Sequence, residues 1–103
     1  MRRIRRSITF VEQLERLLEQ GIAKFGLGIA DEKRHRLEVM IDTYLVRHPR
    51  MGLRDDALGL YVYPITNAPF VVIYDFDEDE LRLYAVLHQR ADRRRFDPTT
   101  VQW

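Results

Sequence analysis

The sequence predicts an α+β domain: an N-terminal strand, an antiparallel helical hairpin, and an antiparallel sheet ending in a three-strand meander. Three observations carry this reading. Two apolar stripes at helical spacing follow one another in the first half of the chain. Three strand-like runs separated by short polar turns fill the second half. The 103 residues amount to one domain, 1–103, so the hairpin has to cover one face of the sheet within a single core.

Arg6 to Phe10 reads as the strand, with Ile8 and Phe10 on one face. Thr9 stands three residues before Glu12, a capping-box spacing that opens the first helix. Leu14, Leu17, Leu18, Ile22 and Phe25 then share one helical face. Gly26 and Gly28 close that helix, because glycine enters left-handed conformations without a Cβ penalty. The second helix begins at about Ile29, with Asp31 in its first turn favourable to the dipole. Its stripe is Leu37, Met40, Ile41, Tyr44 and Leu45, and it stops before Pro49. So short a connection folds two helices back on each other.

His48 to Leu58 reads as a loop. Leu58 to Ile65, Phe70 to Phe76 and Leu81 to His88 are the strands, joined by turns at Thr66 to Pro69 and Asp77 to Glu80 that are short enough for hairpins. In the last strand, Leu81, Leu83, Ala85 and Leu87 alternate with Arg82, Tyr84, Val86 and His88, which predicts one face for each set. A basic tail, 93–103, follows.

Composition removes several function classes. Without cysteine there is no disulfide, no thiolate catalysis and no cysteine zinc site. No apolar run reaches the ~18 residues of a membrane span. The basic start, Met1 to Arg6, lacks the long apolar stretch of a signal peptide. The net charge of +1 hides segregation, with arginines at positions 2, 3, 5 and 6 and again at 90 and 93–95, and acids at 75 and 77–80. The three histidines, His35, His48 and His88, lack local metal-ligand spacing, so neither metal nor other cofactor is expected.

The hairpin, then "RHPRMG" (Arg47 to Gly52), "FVVIYDFDEDELRLYAVLH" (Phe70 to His88) and "QRAD" (Gln89 to Asp92), resemble the RelE/ParE toxin superfamily, and most closely its ParE-like plasmid-stabilisation branch. The resemblance runs through about residues 6 to 95, and it rests on the order of the pieces. It implies a cytoplasmic toxin of a type II toxin–antitoxin system, held by a cognate antitoxin in a hetero-oligomer. ParE-like members poison DNA gyrase by binding; RelE-like members are ribosome-dependent mRNA endoribonucleases. A third alternative is a non-toxic member that only binds a partner. The resemblance implies no direct sequence-specific contact with nucleic acid.

Cleavage of RNA through its 2′-hydroxyl needs an acid, a base and cations for the developing charge. The resemblance places the nuclease arginines at Tyr61 and Asp75, which are an aromatic and a carboxylate here. His88 is the catalytic candidate if the chain is a ribonuclease, because an imidazole titrates near ~6.5. With those arginines missing, the balance falls to a binding inhibitor that is not an enzyme. The expected partner-binding residues are Arg50 and Arg54 in the loop, then His88, Arg90, Arg93, Arg94, Arg95 and Phe96. The run Arg93–Arg95 reads as a solvated surface, as a phosphate site, or as a partner for an acidic antitoxin segment. Phe96 and Trp103 are expected to pack on the domain or on a partner.

Overall fold

A computed structural model describes the whole chain, Met1–Trp103. β1 (Arg3–Arg6) is followed by α1 (Ile8–Phe25) and α2 (Leu27–Val39). Then come β2 (Leu53–Asp55), β3 (Leu60–Pro64), β4 (Phe70–Phe76) and β5 (Glu80–His88). The strands form one five-stranded sheet in the order β1-β5-β4-β3-β2. The meander β3–β5 is antiparallel throughout, while β1 joins β5 in parallel, Arg3 opposite Glu80 and Arg5 opposite Arg82. The α+β arrangement read from the sequence is therefore the arrangement observed.

Several boundaries differ, each for a local reason. The strand expected at Arg6 to Phe10 ends at Arg6, because Ser7 and not Thr9 caps α1. Ser7 Oγ accepts the Phe10 amide at 2.8 Å and donates to the Tyr84 carbonyl at 2.7 Å. The Thr9–Glu12 pair falls inside the first turns of the helix. Gly26 alone separates the two helices, with φ at 91°; Gly28 lies within α2, which starts at Leu27. Beyond Val39 the second helix widens into a π-helical turn over Met40–Leu45, where the Val46 amide reaches the Ile41 carbonyl. The extra residue rotates the stripe. Leu45 and Val46 are buried as a result, and Tyr44, expected among the buried set, is 58% exposed. The segment expected as loop from His48 contains a single 3-10 turn, Pro49–Met51, and the added strand β2.

The core has two parts, one on each face of the sheet. On the helix face Phe10, Leu37, Ile41 and Leu45 meet Val72, Tyr74, Leu81, Leu83 and Val86. On the outer face Leu60, Val62, Val71, Ile73 and Ala85 form a smaller cluster, covered by Leu58, Leu87 and Phe96. A β-bulge divides β5 between these faces: Ile73 pairs with Ala85 but Tyr74 with Leu83, leaving Tyr84 over. The expected single face Leu81–Leu83–Ala85–Leu87 is thus corrected: Leu81 and Leu83 face the helices, and Ala85 and Leu87 face outward. α1 satisfies what the bulge leaves open. Besides the bond from Ser7, Gln13 Oε1 accepts the Val86 amide at 2.7 Å.

The tail after β5 runs as a strap across the outer face. Phe96 packs on the outer cluster, and Trp103 sets its ring edge-on to Tyr84 with centroids 4.8 Å apart. The strap ends against α1, where the Gln102 carbonyl accepts the Ile8 amide at 2.7 Å and Thr9 Oγ1 accepts the Gln102 amide at 3.1 Å. An otherwise unpaired donor of the first helical turn is satisfied in this way.

Candidate functional site

The stripe on α1 is longer than the sheet beneath it. Phe10, Leu14 and Leu17 reach the helix-face core, whereas Ile22 and Phe25 continue past it and stay 36% and 51% exposed. Between this overhang and the β3–β4 turn lies an apolar groove of about 340 Å³, walled by Leu17, Leu18 and Leu37 on one side and Ile65, Pro69 and Phe70 on the other. The two helices meet closely at Gly21 and Ala30, where a Cβ on Gly21 would be in ordinary contact with the Ala30 methyl at 3.4 Å. Cations rim the groove: Lys24 and Lys33 sit over the Phe25 ring at 5.4 and 5.0 Å, with Arg34 beside them. Arg34 is held by Asp31 and Glu38, so the two lysines are the rim charges without a carboxylate partner.

His88 closes β5 next to the sheet end of this groove. Its ring meets Phe70 edge-on at 5.5 Å, and its Nδ1 accepts the Arg90 amide at 3.1 Å. The expected partner residues separate into three places. His88 and Arg90, both exposed, stand by the groove. Arg93 to Phe96 belong to the strap: Arg93 donates to Asp55 at 3.2 Å, Arg94 is forked onto Asp92, Arg95 is exposed, and Phe96 is half-buried on the outer cluster. Arg93 and Arg94 line a cleft of about 310 Å³ with Asp55 and Gln89. Arg50 and Arg54 lie by β2, and Arg54 stands 5.5 Å above the Tyr61 ring.

The two positions at which a nuclease arginine was expected do not share a surface. Tyr61 faces the helices, stacked on Tyr74 at 5.6 Å. Asp75 sits on the other face, where it accepts from Arg82 at 2.6 Å and from the Tyr84 hydroxyl at 3.0 Å. Arg82, read from sequence only as a face residue of the last strand, is the hub of that face. It also binds Asp77 at 2.8 Å and Glu80 at 2.9 Å. The bond from Arg82, joined by the amides of Glu80 and Asp79, brings the Asp77 carboxyl down to about 2. Burial, then the bond to Asp75, raises the Tyr84 hydroxyl. The sequence signal for this hub was the acid-rich turn next to one strand arginine, but assigning it required the cross-strand register.

No protein-family model matches the chain, and no curated protein matches it in sequence. Among solved structures, the chain superposes on one titled "Chromosomal ParDE TA system from P. aeruginosa", with a TM-score of 0.71 over 85% of this chain and 96% of that one. The fold is RelE/ParE-like. At 12% identity the likeness lies in the path of the backbone and not in shared side chains. On this RelE/ParE-like sheet the residues expected from sequence are dispersed, and the groove under the hairpin overhang is the larger apolar opening. No helix of the chain is long and apolar enough to cross a membrane.

Proposed function

We propose that this chain is the toxin of a type II toxin–antitoxin pair, ParE-like in action, which inhibits DNA gyrase in the cytoplasm by binding it. A cognate antitoxin neutralises it. The observation that carries this reading is the uncovered groove with its lysine rim, set in a fold shared with a ParDE chain. An amphipathic antitoxin segment would bury its apolar face between Leu18 and Phe70 and set acidic side chains against Lys24 and Lys33. The segment would then continue to His88 and Arg90.

Binding is favoured over RNA cleavage by the partners of the charged groups. Asp75 is occupied by Arg82 and Tyr84, and His88 by the Arg90 amide and the Phe70 ring. The purified chain is expected to block supercoiling by purified gyrase or to trap cleaved DNA; no effect at several-fold excess overturns the gyrase assignment. Messages cut during expression, with cutting abolished by His88→Ala in a folded protein, would replace it with a ribosome-dependent ribonuclease. Normal growth during verified soluble expression without antitoxin would leave a partner-binding chain that is not toxic.

A further inference from the structure

A second surface lies at the far end of the sheet from the groove. Phe70 and Phe76 stand at opposite ends of β4, about 20 Å apart at the usual rise per residue. Around Phe76, on the helix face, the rings form a row: Tyr61 is 5.0 Å from Phe76 and 5.6 Å from Tyr74. Two guanidinium groups stand over the row, Arg2 over Phe76 at one end and Arg54 over the middle ring, Tyr61, both at 5.5 Å. Arg2 is fixed further by bonds to the carbonyls of Asp77 at 2.6 Å and Val46 at 3.2 Å.

The segment 46–52 is pinned beside this row. Arg2 holds it at Val46, and the Tyr74 hydroxyl holds it at two points, donating to the Pro49 carbonyl at 2.6 Å and accepting the Gly52 amide at 3.0 Å. Between these anchors Arg47 and Arg50 are exposed. Arg2, Arg47 and Arg50 take part in no ion pair. The pair Arg54–Asp56, at 3.5 Å with the aspartate 95% exposed, neutralises little in water. Tyr44 and Met51, 58% and 47% exposed, place apolar area among these charges.

Stacking on a ring restricts the rotamers of Arg2 and Arg54, and Arg2 keeps N–H groups beyond the two it gives to carbonyls, so less entropy is lost when they meet an oxyanion. The faces of Tyr61, Tyr74 and Phe76 are taken up by one another and by the arginines, which leaves Tyr44 as the one exposed ring of this surface and no row of rings on which successive bases would stack. A nucleic-acid backbone also offers nothing to Tyr44 and Met51. A protein surface with carboxylates around an apolar patch matches both properties. We propose that Arg2, Arg47, Arg50 and Arg54, with Tyr44 and Met51, form the face that docks on an acidic patch of the target protein, separate from the antitoxin groove. This rests on the binding-inhibitor reading above.

The test measures inhibition of supercoiling by purified gyrase. It compares the wild-type chain, the pair Arg50→Glu with Arg54→Glu, the milder pair Arg50→Gln with Arg54→Gln, and a charge-matched control, Arg16→Glu with Arg36→Glu on the helices. Near-ultraviolet dichroism and thermal melting establish that each variant is folded. The loop pairs are expected to need about tenfold more protein or beyond for the same inhibition, with the glutamate pair worse, and the control is expected to match wild type. Unchanged inhibition by folded loop variants overturns the inference and leaves the function standing. A wild-type chain inert toward gyrase overturns both. A loss of equal size in binding plain duplex DNA, with no gyrase present, overturns the protein-surface assignment in favour of a nucleic acid.

Discussion

Tyr74 is the residue on which the 49–52 segment depends. It is fully buried, yet its hydroxyl makes two bonds to backbone. Tyr74→Phe leaves the Pro49 carbonyl and Gly52 amide without that partner, and is expected to lower stability by about 1–3 kcal/mol in denaturant titration. Burial pushes the hydroxyl up to about 12, against 10.0 ordinarily, with the Gly52 bond acting in the other direction. An unfolded chain therefore releases this proton near pH 10, while the folded chain keeps it until about pH 12. Stability is full below pH 10 and falls as pH climbs through that window, a loss that the phenylalanine variant escapes in alkaline melting curves. Gly52 is the matching constraint: a Cβ there would meet the Tyr74 hydroxyl and lie 2.8 Å from the Val62 carbonyl. Gly52→Ala is expected to cost about 1–3 kcal/mol through overpacking, read as a lowered Tm.

Among the elements, β5 and α1 are coupled through the bulge. Gln13→Leu is expected to strand the Val86 amide and destabilise by about 1–3 kcal/mol, with faster amide exchange at Val86 as the local signature. None of this was legible in the sequence, because a bulge is a property of register, and the alternation Leu81–Leu83–Ala85–Leu87 is what an unbroken strand would also show. β4 was read to the residue, since Phe70–Phe76 is a continuous apolar run between turn residues. β2 was missed because Leu-Arg-Asp is too short to carry a period and has no buried residue. The start of α1 was misplaced by two residues: Ser7 lacks an acid three positions on, whereas Thr9 has one, and only the fold shows that Ser7 also binds Tyr84. For the candidate site, sequence identified the loop and tail arginines individually. It could not show that Tyr61 and Asp75 occupy opposite faces, or that the overhang of α1 opens a groove.

Across the whole molecule, the strap joins the outer face to the first turn of α1. Trp103, the single tryptophan, lies between Tyr84 and the guanidinium of Arg5, which is 4.9 Å from its ring. Trp103→Ala is expected to lose about 1 kcal/mol beyond the area it buries, measured as a shift of the urea midpoint. In the wild type, the fluorescence of this ring should report release of the strap directly. The parallel pairing of β1 with β5 has a further consequence, for the order in which the fold assembles. The meander closes through short turns, but Ser7 finds Tyr84 only across 77 positions of chain. Long-range closure carries its entropic cost before any contact repays it. The N-terminal strand is therefore expected to dock late, onto a sheet whose other strands have already paired, so that substitutions in residues 1–6 speed unfolding and leave the folding rate nearly unchanged in stopped-flow kinetics.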